Sequence, residues 1–467
     1  MRPFSADLRP EPQKPLYELG LQLAFMCAFA NLLSHANRQI LVVLVERINS
    51  DLHISDTQFG ILMGPAFSVA YAISTIIIAE FTDANSKVRM ISIGVFVWSA
   101  ATFASAFVES FEGLLLCRAL VGLGQSILSP AAYTLLASHY PKNQLGRISS
   151  LYAMGSFLGS ALVLIVGGFF AEQSLQKPEF ELWSNFSIAR WRLIFLWVGG
   201  VGLIYSLVFV WLHKNTEHHQ QYRQQPEQQN KQEQSPTPHV PYPEVVRYLW
   251  KYRDCYRFYI LGFSSYSVAL FCIIAWGPAF FIRQLDMNQS QAGLVLALIM
   301  GTANLSGVWA SGYIMDKLRE RGLKQAPYII GTVGAGITAL TAVGFYSAFS
   351  EQWHHNWVLL GFFLCAHFAS YPIAPSASTN QLMTAIPMRA RAYAIFLCVN
   401  NLLAMGAGLS LVGYLNDYVF SEQEAIGKSL ALVVFLSACA ASVLLGLGAK
   451  PYLRKLDRNA QHQGQYL

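Results

Sequence analysis

HKNTEHHQQYRQQPEQQNKQEQSPTPH, residues 213–239, divides this 467-residue chain in two. It is rich in Gln, His and Pro and too poor in apolar residues to build a core, so through about residue 243 it reads as a flexible linker. Outward from it on each side lie six long apolar stretches. They run at 19–45, 57–79, 89–108, 112–138, 147–171 and 191–212, then at 258–282, 291–315, 327–349, 356–385, 391–416 and 426–449. A helix of about twenty residues matches the ~30 Å hydrocarbon core of a bilayer. The expectation is an all-α membrane protein with twelve transmembrane helices in two six-helix, pseudo-symmetric bundles. Residues 1–212 form the first bundle, 213–256 the linker, 257–450 the second bundle and 451–467 a tail.

Composition agrees. The chain is 54% hydrophobic and only 12% charged, against roughly twice that charged fraction in soluble domains. Little is left outside the spans for a second soluble domain. The net charge of +6 matters less than its placement, which points away from a nucleic-acid partner. Assigning alternate loops to one side gathers 24 of the 32 Lys and Arg with the linker and both termini, leaving six opposite and two inside spans. By the positive-inside rule both termini and the linker are cytoplasmic. Within the linker region, EVVRYLWKYRDCYR (244–257) alternates aromatic and basic residues at helical spacing. It reads as an interfacial helix on the inner leaflet or as the start of the seventh span.

Seven cysteines show no metal-like or redox spacing, and no metal or other cofactor is expected. The polar first sixteen residues do not look like a cleaved signal. No P-loop, metal-protease, Gly-x-Ser-x-Gly or Rossmann signature occurs, so nothing suggests an enzyme or an ATP-driven pump.

The buried charges carry the functional reading. Arg38 in the first span and Arg118 in the fourth are the permanently charged side chains at depth, and each lies about 10 Å below the outer face. Inserting each costs about 2.5–3.5 kcal/mol, so such residues normally face a cavity. With no carboxylate at their depth, carbonyls, water or a bound anion must satisfy them. Asn31, Ser34, His35 and Arg38 share one face of the first span, and Arg118, Gln125, Ser129 and Tyr133 one face of the fourth. Interhelical bonding explains the uncharged members equally well. His35 and His367 are the deep groups able to titrate near neutrality. Glycines at 60 and 64, 155 and 159, and 406 and 408 permit close helix approach. Pro278, Pro372 and Pro375 mark kinks in the seventh and tenth spans, static or gating.

A weak repeat links the halves: AEFTDANSKVR (79–89) after the second span and SGYIMDKLRER (311–321) after the eighth. Asp83, Lys87 and Arg89, with Asp316 and Lys317, resemble the conformational gating motif of the major facilitator superfamily, worn in the first copy where Ala79 and Ala84 replace the usual Gly and Arg. CRALVGLG (117–124) and WRLIF (191–195) resemble its fourth- and sixth-helix motifs. The strings at 37–62, 118–141 and 389–403 look like the spinster branch and its bacterial relatives.

That resemblance implies a secondary active or facilitative transporter working by alternating access, most simply a monomer in a bacterial inner membrane, contacting membrane lipids. Its substrate would be a small anionic or amphiphilic molecule: an organic anion, a carboxylate metallophore (siderophore) or a lysolipid-like compound. Arg38 and Arg118 would bind the anionic group, with Asn37, His35, Gln125, Ser129 and Tyr133 around it. Tyr266, Trp276, Tyr371 and Asn400 would contribute from the second half. Spinster-like carriers have an Asp before the first-helix Arg and a Glu after the fourth-helix Gly-x-Gly; here these positions are Asn37 and Gln125. Carboxylate-based proton coupling is therefore not expected. A non-transporting receptor or scaffold on a carrier fold is the rival reading.

Overall fold

The computed structural model describes residues 14–84, 86–140, 145–176, 179–183, 186–221, 240–350, 354–420 and 426–464. Residues 222–239 of the linker, the first thirteen residues and the last three are among those outside these. Among the described residues there are twelve long helical passes. In the first half they are α1 (Lys14–Val43), followed by the short α2 (Val45–Leu52); α3 (Asp56–Met63) with α4 (Pro65–Ala84); α5 (Lys87–Ser105); α6 (Phe111–Ser126) with α7 (Leu128–His139); α8 (Leu145–Gln176); and α9 (Leu193–Gln221). The second half opens with α10 (Tyr242–Lys251). Its passes are α11 (Arg253–Gln284); α12 (Gln289–Ile299) with α13 (Leu305–Glu320); α14 (Ala326–Ser350); α15 (His355–Ala369) with α16 (Ile373–Met383); α17 (Arg389–Asn401) with α18 (Leu409–Tyr414); and α19 (Ile426–Gly464).

Ten of the passes are long and apolar enough to cross a membrane. The first pass falls short because its polar row lowers its mean hydropathy, and the inner end of the second lies where side chains are outside the described set. Local chemistry sets several starts. Ser55 with Gln58, and Asn288 with Gln291, form capping boxes at α3 and α12, and Ser110 caps α6. Pro372 interrupts the tenth pass between α15 and α16. Widened π-helical turns at Met300–Asn304, Leu402–Gly408 and Leu415–Phe420 divide the eighth and eleventh passes. Such turns recur at functional sites.

One departure from an all-helical reading is a small antiparallel hairpin, β1 (Glu179–Trp183) and β2 (Phe186–Ala189), between the fifth and sixth passes. The alternation in EFELW is the period-two pattern of a short strand, overshadowed by the apolar runs on either side.

Within each half α1 packs along α8, and α11 along α19. Between halves the main contacts are the fifth pass with the eighth and the second with the eleventh. Those two pairings exchange under a shift of six passes, as parallel repeats require. Gly60 and Gly64 bring the second pass onto the eleventh. A Cβ on Gly60 would lie 2.8 Å from the Leu409 carbonyl oxygen, and one on Gly64 would strike that of Met405. Gly155 and Gly159 do the same for α8 against Ala28 and Leu32 of α1.

Candidate functional site

Arg38 and Arg118 converge on one aromatic ring. Phe67, on α4, faces the Arg38 guanidinium at 4.7 Å and that of Arg118 at 5.8 Å, and Tyr71 one turn on faces Arg38 at 5.6 Å. Arg38 Nε donates to Gln125 Oε1 at 2.7 Å, and Gln125 Nε2 donates to the Ser34 carbonyl at 3.0 Å. Arg118 reaches only long contacts of 3.5 Å, from Nε to the Leu62 carbonyl and from a terminal nitrogen to that of Asn37. Among the described residues neither arginine pairs with a carboxylate. A cation over a desolvated ring gains about 2 kcal/mol or more, which steadies the pair and leaves its charge uncancelled.

Both arginines line a cavity of about 230 Å³ between the halves, with His35, Gln39, Ser156 and Ser160. Its second-half wall is apolar: Leu270, Phe271, Ile274, Met300, Ile373 and Met405, with Asn304 the polar exception. Gln39 Oε1 and Asn304 Oδ1 are buried without a partner among the described residues. One wall is cationic and polar, the facing wall greasy.

The remaining expected residues divide. Asn37 is buried and donates to Thr102 Oγ1, so it ties the first pass to the third. Ser129 meets the Tyr152 hydroxyl at 3.1 Å, and Tyr133 stacks edge-on against the same ring. In the second half Tyr266 donates to the Phe368 carbonyl at 2.7 Å, and Trp276 to that of Leu409 at 3.2 Å. Both are fully buried in packing and do not line the cavity. Tyr371 lies 3.5 Å from His367, whose other ring nitrogen meets Ser306 at 2.9 Å, again away from the arginines. Asn400 is buried with an unpartnered Oδ1 and is likewise not in the cavity wall. Phe67, Gln39, Asn304, Ser156 and Ser160 were not singled out from the sequence. A phenylalanine in an apolar helix carries no signal of its own, whereas the isolated Asn and Gln could have been found as polar residues at depth.

Of the gating residues, Asp83 lies where side chains are outside the described set. Arg89 and Asp316 are exposed, and Lys317 pairs with Glu320 at 3.1 Å on its own helix. A polar latch joins the halves instead at the opposite end from α10 and the linker. Arg283 of α11 binds Asp56 through both terminal nitrogens, at 2.6 and 2.9 Å, and Glu46 through Nε at 2.7 Å. Asp417 returns the interaction, accepting from the Thr57 backbone at 2.7 Å and its hydroxyl at 2.6 Å, so an acid from one half caps a helix of the other. Asn416 also donates to Asp56, and Gln289 N donates to Glu172 at 3.0 Å nearby. A vestibule of about 640 Å³ opens over this latch; its cation already has its acids, so it reads as gate rather than binding site. Burial holds the Glu46 carboxyl above its ordinary range, and the attraction of Arg283 offsets only part of that.

The sequence model of the Major Facilitator Superfamily matches residues 27–409. An MFS-type efflux pump of Mycolicibacterium smegmatis is 23% identical over 444 residues, covering 93% of this chain and 94% of that protein. A sphingosine-1-phosphate transporter of Danio rerio is 28% identical over 149 residues, which span 32% of this chain and 29% of its own length. The crystal structure of a bacterial homolog of the human lysosomal transporter Spinster, inward-facing and unoccupied, superposes with a TM-score of 0.72 at 19% identity, covering 94% of this chain and 97% of that one.

Proposed function

The chain belongs to the major facilitator superfamily of membrane transporters, and from that premise we propose that it moves an amphiphilic organic anion by alternating access. Its charged group would sit between Arg38 and Arg118, and its apolar body against Leu270, Phe271 and Ile274. The observation that carries this is two guanidiniums on one ring, with no carboxylate, facing an apolar wall. Arginine suits carboxylates and phosphates alike through its planar donors. The relative that transports sphingosine-1-phosphate, itself an anion with an apolar chain, supports the same class.

The latch supports a state closed on the far side and accessible from the linker side, which the positive-inside rule makes the cytoplasm. With Asn37 and Gln125 in place of acids, the central site offers no carboxylate to carry a proton, and transport is facilitated or exchange-driven.

Thermal unfolding of the purified protein across a panel of amphiphilic anions, their neutral analogues and short-chain carboxylates tests this. A true ligand at a hundredfold its Kd adds about 2.7 kcal/mol of stability. Stabilisation by the neutral analogues as strong as by the anions would overturn the assignment. Counterflow of the best ligand in proteoliposomes then separates a carrier from a receptor on the same fold.

A further inference from the structure

On the linker side a buried cation has no counter-ion. Lys455, on α19, is only 5% exposed. Its Nζ sits 3.2 Å from the ring centre of Tyr252 and 4.9 Å from that of Tyr248. Among the described residues no carboxylate pairs with it; the adjacent Asp457 is taken by Lys324 at 3.1 Å. The charges acting on it instead include those of Arg458 and Lys251, both exposed and both of the same sign. Two aromatic faces soften the cost of burying such a cation, and with Asp457 engaged by Lys324 the group of Lys455, Lys251 and Arg458 keeps an excess of positive charge that an anion would balance.

The neighbouring surface says where that anion resides. α10 buries Val245 and Leu249 against a cluster containing Tyr256, Tyr259, Tyr328 and Tyr452. Its other face exposes Val246 and Trp250, the latter 69% exposed. Arg253 stacks over Trp250 at 5.5 Å, and Arg247 and Lys251 flank it. A tryptophan–valine stripe edged by basic residues is unfavourable in water and favourable at headgroup depth. The helix is therefore suited to the membrane interface, a depth at which its basic residues would meet lipid phosphates.

We propose that Lys455, Lys251 and Arg458, floored by Tyr248 and Tyr252, form a socket for the phosphate of an anionic phospholipid in the linker-side leaflet. The lipid would fasten α10, and with it the end of the linker, to the second half. This rests on the membrane-spanning fold and not on the identity of the transported anion.

The test uses the full chain in nanodiscs of phosphatidylcholine alone or mixed with phosphatidylglycerol, with retained lipid counted by native mass spectrometry. Wild type should hold phosphatidylglycerol in preference to phosphatidylcholine. Lys251→Gln and Arg458→Gln, at exposed positions, should each lower that retention about fivefold, and Lys455→Met should abolish it. Brominated phosphatidylglycerol should quench Trp250 fluorescence more than brominated phosphatidylcholine does, read as the difference from Trp250→Phe. If Lys455→Met does not fold, the two exposed variants still decide. No preference for phosphatidylglycerol in wild type, or unchanged retention in the double exposed variant, would overturn the proposal. Displacement of the retained lipid by inorganic phosphate would assign the socket to a soluble anion and overturn it as well.

Discussion

At Phe67 two guanidiniums converge on one ring, and Arg38 also bonds an amide, Gln125. On the proposed function, a ligand anion is the partner of both arginines. Each charge-assisted bond is worth about 2–3 kcal/mol, so Arg38→Gln and Arg118→Gln should weaken anion binding about thirty- to a hundredfold while leaving insertion intact. Isothermal titration of purified variants measures this, and wild-type affinity in both would return the pair to a structural role. Glu46 makes a pH prediction of definite sign. Its carboxyl is raised by burial in the latch, with Asp56 adding to that and Arg283 and Arg47 opposing it. A raised acid favours the closed latch below its ordinary value and loses that contribution as pH rises through the raised value. Glu46→Gln should therefore hold the far side closed as well as wild type does at low pH, and better above. Distances between spin labels at the exposed Ser50 and Tyr418, followed across pH, read this out.

Among the elements, α3 shows how the halves are coupled. Its N-terminus is capped within its own half by Ser55 and across the interface by Asp417. Opening the far side must uncover those donors, and the cost of losing such a cap is about 1 kcal/mol. Asp417→Asn should shift the same label pair toward longer distances by a population ratio of about fivefold. Gly64→Val should do more, because its side chain has no room beside Met405 of the eleventh pass. If both variants keep the wild-type distance distribution, the latch is not what holds this state. The π-helical turns in the eighth and eleventh passes place Asn304 and Met405 in the cavity wall, so element irregularity and site coincide.

For the whole molecule the sharpest expectation concerns energy. Proton-coupled transport needs a group that changes protonation during the cycle, and membranes usually supply a deep carboxylate. Here the central site has amides, with His35 the titratable group in the cavity wall, beside the cation Arg38. Uptake into proteoliposomes, with membrane potential clamped at zero, should show little accumulation driven by a pH gradient. Strong accumulation that His35→Gln abolishes would make that histidine the proton carrier and sink the uncoupled reading. Gln125→Glu should pair with Arg38, introduce pH dependence and lower anion affinity. Topology is tested separately: a cysteine introduced at Gln229 should stay unreactive to an impermeant thiol reagent in intact cells.

The sequence by itself determined that the chain spans a membrane in two related halves, because bilayer thickness makes apolar run length a direct measure of a span. It also singled out Arg38 and Arg118 as charges at depth, a costly placement wherever the helix packs. What it could not decide was what those arginines face. Phe67 is one apolar residue among many until the second pass is set between the first and fourth. Nor does the sequence show that neighbouring carbonyls take the polar atoms of Tyr266 and Trp276, or that Tyr371 meets His367. The latch was equally invisible: Glu46, Asp56, Arg283 and Asp417 sit at helix ends, where charges are ordinary. Only the tertiary structure brings them together, because the contact joins residues more than two hundred positions apart, and no periodicity along a helix records a partner on another one.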